Sequence, residues 1–309
     1  MKRSLFALLL VLTLFLTSCT HGQTNDIDTV TVTDVLGREV SFSTENLRVA
    51  ALLGSMADVW CLSGGTLVAA PTDAWEDFSL PLDGAVNIGG AHSPSLEKVL
   101  SAAPTLVLAS ASTASHVALE ENLTAAGIAV LYFDLNSFSE YLFMLRACTE
   151  IMGREDLYKT HGLEQKERID ALVSDFRAMS YTEDEHKVLF LRASSGFVKA
   201  KESEGTVLGS MLLDFGCVNI ADGGTLTDLS VEAVIREEPY RIFTVTMGAD
   251  EAAAEASLSR MMAENPAWGT LSAVKEERFY MMDKSLFHLK PNARWGDAYE
   301  ALFELLTTK

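Results

Sequence analysis

Short, strongly apolar runs alternate with amphipathic stretches along almost the whole chain, and this alternation limits the possible folds more than any other feature. "RVAALL", "TLVAAP", "TLVLAS" and "IAVLYF" are too short for buried helices and too continuously apolar for a sheet with one wet face. The segments between them, "SMADVWCLSG", "PSLEKVLSAA" and "HVALEENLTAAG", read as helices. Such interleaving implies parallel strands covered on both faces, an α/β lobe. The pattern stops at Phe138 and resumes near residue 187. There "KVLFLRA", "FVKAK" and "VNIA" read as strands, with "GTVLGSMLLDFG" as a helix. "SVEAVIREE" is a further helix and "RIFTVTM" a strand. The helix "AEASLSRMMAENPAW", the strand "RFYMMD" and a helix from Trp295 complete a second lobe.

One phrase occurs in both lobes. "SPSLEKVLSAAPTLVLAS" begins at Ser93, and "DLSVEAVIREEPYRIFTV" matches it 135 positions later, aligning Ser95 with Ser230, Glu97 with Glu232 and Pro104 with Pro239. Each copy reads as helix, loop and strand at an equivalent place. Ser93 and Asp228 are suitable N-caps, and the prolines end the helices. Between the lobes, "RIDALVSDFRAM" sets Ile169, Leu172, Val173, Phe176 and Met179 at helical spacing, so a helical segment joins them. Ahead of the first lobe, "TVTVTDVLGREVSFS" alternates on both sides of Leu36-Gly37, as a β-hairpin does.

The N-terminus has a different character. Lys2 and Arg3 precede an apolar run from Leu5 to Leu16, and small residues lead to Cys19, the pattern of a secretory leader too short for a permanent span. Its ending "LTSC" resembles the lipobox of bacterial lipoproteins, which implies a Cys19 carrying acyl chains that anchor the protein to the bilayer. The organisation expected is a signal peptide over 1–18, a lipid-anchored linker over 19–29, an N-terminal α/β lobe over 30–137, a helical linker over 138–185 and a C-terminal α/β lobe over 186–309. The other cysteines, Cys61, Cys148 and Cys217, have no metal-ligand spacing and sit in apolar contexts, as buried free thiols do. A formal charge of −19 argues against a nucleic-acid partner.

With these elements in order, the chain resembles the substrate-binding proteins of ABC importers for iron–siderophores, haem and cobalamin. The likeness spans essentially the whole mature chain. It rests on the lipobox, "LRVAALLGSMADVWCLSGG", the "SLEKVLSAAPTLVLAS" unit, the helical linker, "LSVEAVIREEPYRIF" and "NPAWGTLSAVKEERFYMMD". It implies two Rossmann-like lobes with mostly parallel sheets, joined by a long α-helix, with the ligand cleft between them. It also implies that Glu97 and Glu232, one per lobe, dock on arginines of a dimeric ABC permease whose ATPase works on the cytoplasmic side. The protein is then extracytoplasmic, on the outer face of the cytoplasmic membrane or in the periplasm. Its ligand is a metal-chelate small molecule, a ferric siderophore first, with haem or a corrinoid as alternatives, and it has no intrinsic cofactor.

Ligands of open parallel sheets bind beyond the carboxyl ends of the strands. Reading those ends gives Ser55, Met56, Trp75, His92, Ser112, Thr113 and Asp134 from the first lobe. The second lobe gives Ser195, Phe197, Lys199, Thr227, Met247, His288 and Arg294, with Lys290 close by. Trp75 is suited to stacking on a flat ligand. The stretch 192–201, "RASSGFVKAK", gathers three positive charges in an acidic protein and suits either an anionic group or a solvated hairpin. No direct metal site is announced, although loops carrying His92, His116 and His288 have room to converge, and a free zinc or manganese receptor of similar fold stands as the alternative. An anchored hydrolase is a further alternative, but "LLGSMAD" lacks the G-x-S-x-G elbow and no phosphate-binding loop opens a helix, so no enzymatic activity is expected.

Overall fold

The computed structural model describes residues 29–308 apart from 225 and 227–229. The leader, Cys19 and nearly all of the tether lie outside those residues, as do Thr227 and Asp228. The chain opens with the expected hairpin, Thr29–Thr33 paired antiparallel with Glu39–Ser43.

The first lobe holds a five-stranded sheet in the order Val86–Asn87, Leu67–Ala70, Val49–Ala51, Leu106–Ser110, Ala129–Phe133, every pair parallel. Val49–Ala51 and Leu106–Ser110 are buried at every position, which explains why their sequences carry no polar alternation. Chain order runs outward in both directions from Val49–Ala51, so the connections after it and after Leu106–Ser110 leave on opposite faces and open a crevice between them.

The second lobe repeats the plan. Lys187–Ala193 and Arg241–Thr246 are adjacent and parallel, with Phe279–Met282 beyond and Val218–Asn219 beside the start of Lys187–Ala193. One antiparallel hairpin, Lys187–Ala193 with Val198–Ala200, makes this sheet mixed.

The repeated phrase is the same device in each lobe. Ser95 caps Leu96–Ser101 by accepting from the Lys98 amide (3.4 Å), and Ser230 caps Val231–Glu237 by accepting from the Ala233 amide (3.3 Å). Ser93 is not the cap: it pairs with Gly90 in an extended bridge, so the helix begins two residues later than expected. Both helices stop before a proline, with Ala103 (φ 47°) and Glu238 (φ 46°) in the left-handed region. Proline excludes the right-handed helical conformation from the residue before it.

The joining segment is helical for most of its length. Phe138–Met152 begins with a capping box between Ser137 and Glu140 and ends at Gly153 (φ 65°). The chain then turns through Glu155–Tyr158 and a π-helical Lys159–Leu163 into Glu164–Ala178. Ile169 and Phe176 are buried as their spacing predicts, whereas Met179 ends the helix and is exposed.

A single apolar cluster runs from Met56 and Trp60 of the first lobe, through Phe138 and Tyr141 of the linker, to Phe215, Phe243, Trp295 and Tyr299 of the second. Trp295 lies 6.0 Å from Phe138, 6.4 Å from Tyr141 and 6.3 Å from Tyr299 between ring centroids. The C-terminal helix Trp295–Thr307 therefore wedges linker and lobes into one body. Cys148 and Cys217 are buried free thiols; Cys61 is half-buried.

Candidate functional site

The carboxyl ends of both sheets face a cleft of about 550 Å³. From the first lobe, Ser55 and Met56 reach it after Val49–Ala51, Ser112 and Thr113 after Leu106–Ser110, and Asp134 after Ala129–Phe133, with His92 beside them. From the second, Met247 enters after Arg241–Thr246, and Lys284, His288 and Lys290 follow the last strand. Topology brings most of these side chains together, since they follow the ends of parallel strands; His92 sits instead in the turn between the antiparallel pair Gly89–Gly90 and Ser93–Pro94.

The first-lobe wall is a fixed polar network. Asp134 Oδ1 accepts from Ser110 Oγ (3.2 Å) and Ser112 Oγ (2.9 Å). The Ser110 amide donates to His116 Nδ1 (3.1 Å), which leaves Nε2 as the protonated nitrogen donating to the Ala91 carbonyl (2.7 Å). His116 is fully buried, and burial lowers its pKa, so a neutral ring pins two loops together. It therefore does not converge with His92 and His288 on an ion. Among the described residues no three His, Cys, Asp or Glu side chains gather as a metal ion would require. Asp73 accepts from the Gly54 amide (2.9 Å), and burial raises its pKa. A Cβ on residue 54 would sit 2.8 Å from both that carboxylate and the Ala74 nitrogen, so only glycine allows this approach.

The second-lobe wall is basic. Lys290 Nζ reaches across to Asn136 Oδ1 (2.7 Å), and burial pushes its pKa down to about 8. Burial and the charges of Arg192, Lys290 and Lys284 push His288 down to about 4. Lys284 is held by the Gly248 carbonyl (2.8 Å). Behind the wall, Asn292 (φ 49°) donates to the Ser55 carbonyl (3.1 Å) and to Asp58 Oδ2 (2.7 Å), two further bonds between the lobes.

The cleft does not gather every expected residue. Trp75 is half-buried against the first-lobe core, and Phe78, from the same turn, lines the cleft instead. Phe197 is exposed and stacks under Lys199 on the hairpin, with Ser195 exposed at its tip. Arg294 turns to Asp297 (3.5 Å). Trp75, Ser195, Phe197, Lys199 and Arg294 are thus absent from the cleft lining, the last four because the hairpin and the Asn292–Arg294 turn carry them outward. Thr227 lies outside the described residues. No local pattern in the sequence marks Asn136, Lys284 or Asn292, because their partners are distant along the chain.

The sequence model of the periplasmic binding proteins matches residues 49–286, both lobes and the linker. The chain belongs to the periplasmic binding protein family. Solved structures share its fold at low identity. Staphylococcus aureus SirA, complexed with staphyloferrin B, is 18% identical with a TM-score of 0.70, covering 91% of this chain and 99% of its own. Staphylococcus aureus IsdE, complexed with haem, is 15% identical with a TM-score of 0.69, covering 85% and 99%. The catecholate-siderophore binding protein VctP of Vibrio cholerae is 14% identical with a TM-score of 0.68, covering 91% and 100%. No curated protein matches the chain.

The depressed His288 gives this periplasmic binding protein a testable pH response. Its folded pKa of about 4 lies below the ordinary 6.5, so between those values the unfolded chain binds more protons than the folded one. Stability contributed by the neutral ring is complete above pH 6.5 and is lost as pH falls toward 4. In denaturant melts from pH 7 to pH 4, His288→Gln should reduce the loss of stability. An unchanged slope in the variant would show that the ring is solvated.

Proposed function

We propose that this protein is the lipid-anchored, extracytoplasmic receptor of an ABC importer, which captures a metal-chelate small molecule between its lobes and delivers it to a membrane permease. A ferric siderophore is the first choice of ligand. The observation that carries the reading is the cleft. It lies where both sheets reverse strand order, its volume falls in the range of small-molecule sites, and each lobe contributes a different polar wall. A chelate brings its own metal ligands, so shape, sulfur and aromatic surface from Met56, Met247 and Phe78, and polar anchors suffice. In this reading the protein performs no catalysis.

Support also comes from relatives of the fold, which include structures holding staphyloferrin B and haem. In this reading Glu97 and Glu232 each meet one permease subunit, which is supported by their exposure on the first turns of the two capped helices. Among the described residues no helix is long and apolar enough to cross a membrane. The tether is assigned to acylated Cys19. Closure in this reading is a modest hinge, which the continuous core spanning linker and lobes supports.

Ligand recovered with protein purified from the native host, identified by mass spectrometry and absorption spectrum, tests the reading. Titration of the emptied protein should then give micromolar or tighter affinity for a ferric siderophore, haem or a corrinoid. Stoichiometric tight binding of bare zinc or manganese, with no response to chelates, would replace it with a metal-ion receptor.

A further inference from the structure

The basic stretch 192–201 does not join the cleft; it borders a separate cavity of about 390 Å³ in the second lobe. Arg192 lies near the end of Lys187–Ala193, its backbone paired with Lys199 on one side and Val245 on the other. Its Nε is buried without a hydrogen-bond partner, and among the described residues no carboxylate pairs with its guanidinium. Beside it, half-buried Lys201 is pushed down by burial and by the Arg192 charge. Two cations thus share a cavity in a protein whose formal charge is −19.

A nine-residue helix, Val207–Phe215, starts at the same cavity. Its N-cap residue Thr206 turns its hydroxyl back to the carbonyls of Ser203 (2.9 Å) and Glu202 (3.3 Å) and gives the first turn no side-chain cap. No acidic residue sits in that turn. The amides and the positive end of the helix dipole are therefore left for another acceptor. Glu202 and Glu204 stand at the rim, exposed, where water and salt screen them, whereas Arg192 is half-buried and its Nε is closed to solvent.

We propose that this cavity is an oxyanion site, holding a carboxylate or a tetrahedral oxyanion between Arg192, Lys201 and the N-terminal end of Val207–Phe215 at Thr206. A guanidinium Nε closed to solvent without a partner is costly, and a planar fork of N–H donors matches two oxygens of one anion. A helix N-terminus is the backbone element best suited to complete such a site. The cavity shares no lining residue with the cleft, yet the Arg192 charge reaches His288 and Lys290 on the cleft wall. The anion is accordingly either a pendant group of the cleft ligand or a free inorganic ion.

Inorganic phosphate and sulfate, titrated into the purified protein against potassium chloride of matched ionic strength, provide the test, read by thermal shift and calorimetry. Saturable stabilisation beyond the chloride response is expected. Arg192→Met should weaken it by about tenfold or more, as loss of a charge-assisted pair does. Lys201→Met should weaken it less, and carries the test if the arginine variant does not fold. Glu202→Gln should leave binding unchanged or tighten it. Competition between phosphate and the copurified cleft ligand would assign the site to a pendant group; simultaneous binding would assign it to a free ion. No saturable response in the parent protein, or the same response in both cation variants, overturns the proposal.

Discussion

Uptake of the cleft ligand should fall by about tenfold to a hundredfold when Glu97 and Glu232 are both reversed to lysine, while the purified variant binds ligand as the parent does. Both carboxylates are exposed on first turns, held in place by helices that the same serine begins and the same proline ends in each lobe. The Glu232 carboxylate accepts from Ser230 Oγ (3.0 Å), and its own amide and that serine hold its pKa below the usual range, so it is charged when it meets a cation. Neither residue lines the cleft, and exposed substitutions rarely change stability by more than about 0.5 kcal/mol. Alanine at one position should leave one lobe able to dock, so single variants should retain most of their uptake. Reversal should exceed truncation because it sets like charges together in a desolvated contact. Uptake in cells beside ligand binding by purified variants separates the outcomes. Unimpaired uptake by the double reversal would leave the two glutamates only the modest role of complementing helix dipoles. Ligand affinity lost in step with uptake would move them into the ligand site.

What the sequence disclosed follows from the range of the interactions involved. Fully buried strands advertise themselves because both faces demand apolar residues, and helices because one stripe does. The cleft side chains Ser55, Ser112, Thr113, Asp134 and Met247 were legible for a topological reason, since each follows the end of a parallel strand. Trp75 and Phe78 show where this stops. Trp75 lies within the short helix Asp73–Glu76 and Phe78 two residues after it, and composition does not specify which of the two rings faces the cleft. The inter-lobe bonds are further out of reach. Lys290 and Asn136 are 154 positions apart and Asn292 and Asp58 are 234, so nothing local selects them. Asn292 also occupies a left-handed conformation, and Arg294, two residues on, turns to Asp297.

Trp295→Ala should be the most damaging single change to stability, costing about 3–5 kcal/mol, the range for removing a buried aromatic. The indole is fully buried among Phe138, Tyr141 and Tyr299, which belong to the linker and the C-terminal helix, and the cluster continues into both lobes. Its Nε1 has no hydrogen-bond partner, so truncation forfeits packing and leaves no broken polar contact to repair. For a chain of this size the cost corresponds to a fall in Tm on the order of 10 °C. Trp295→Phe should recover more than half of it, since a ring of the same kind refills most of the volume. Because one cluster spans the lobes, the parent should unfold in a single calorimetric transition, and the alanine variant should shift that transition as a whole. Two resolved transitions in the parent, or a fall of only a degree or two in the alanine variant, would show that the lobes are stabilised separately. The modest hinge proposed for ligand capture would then lose its physical basis, because the stiffness between the lobes derives from this shared aromatic packing.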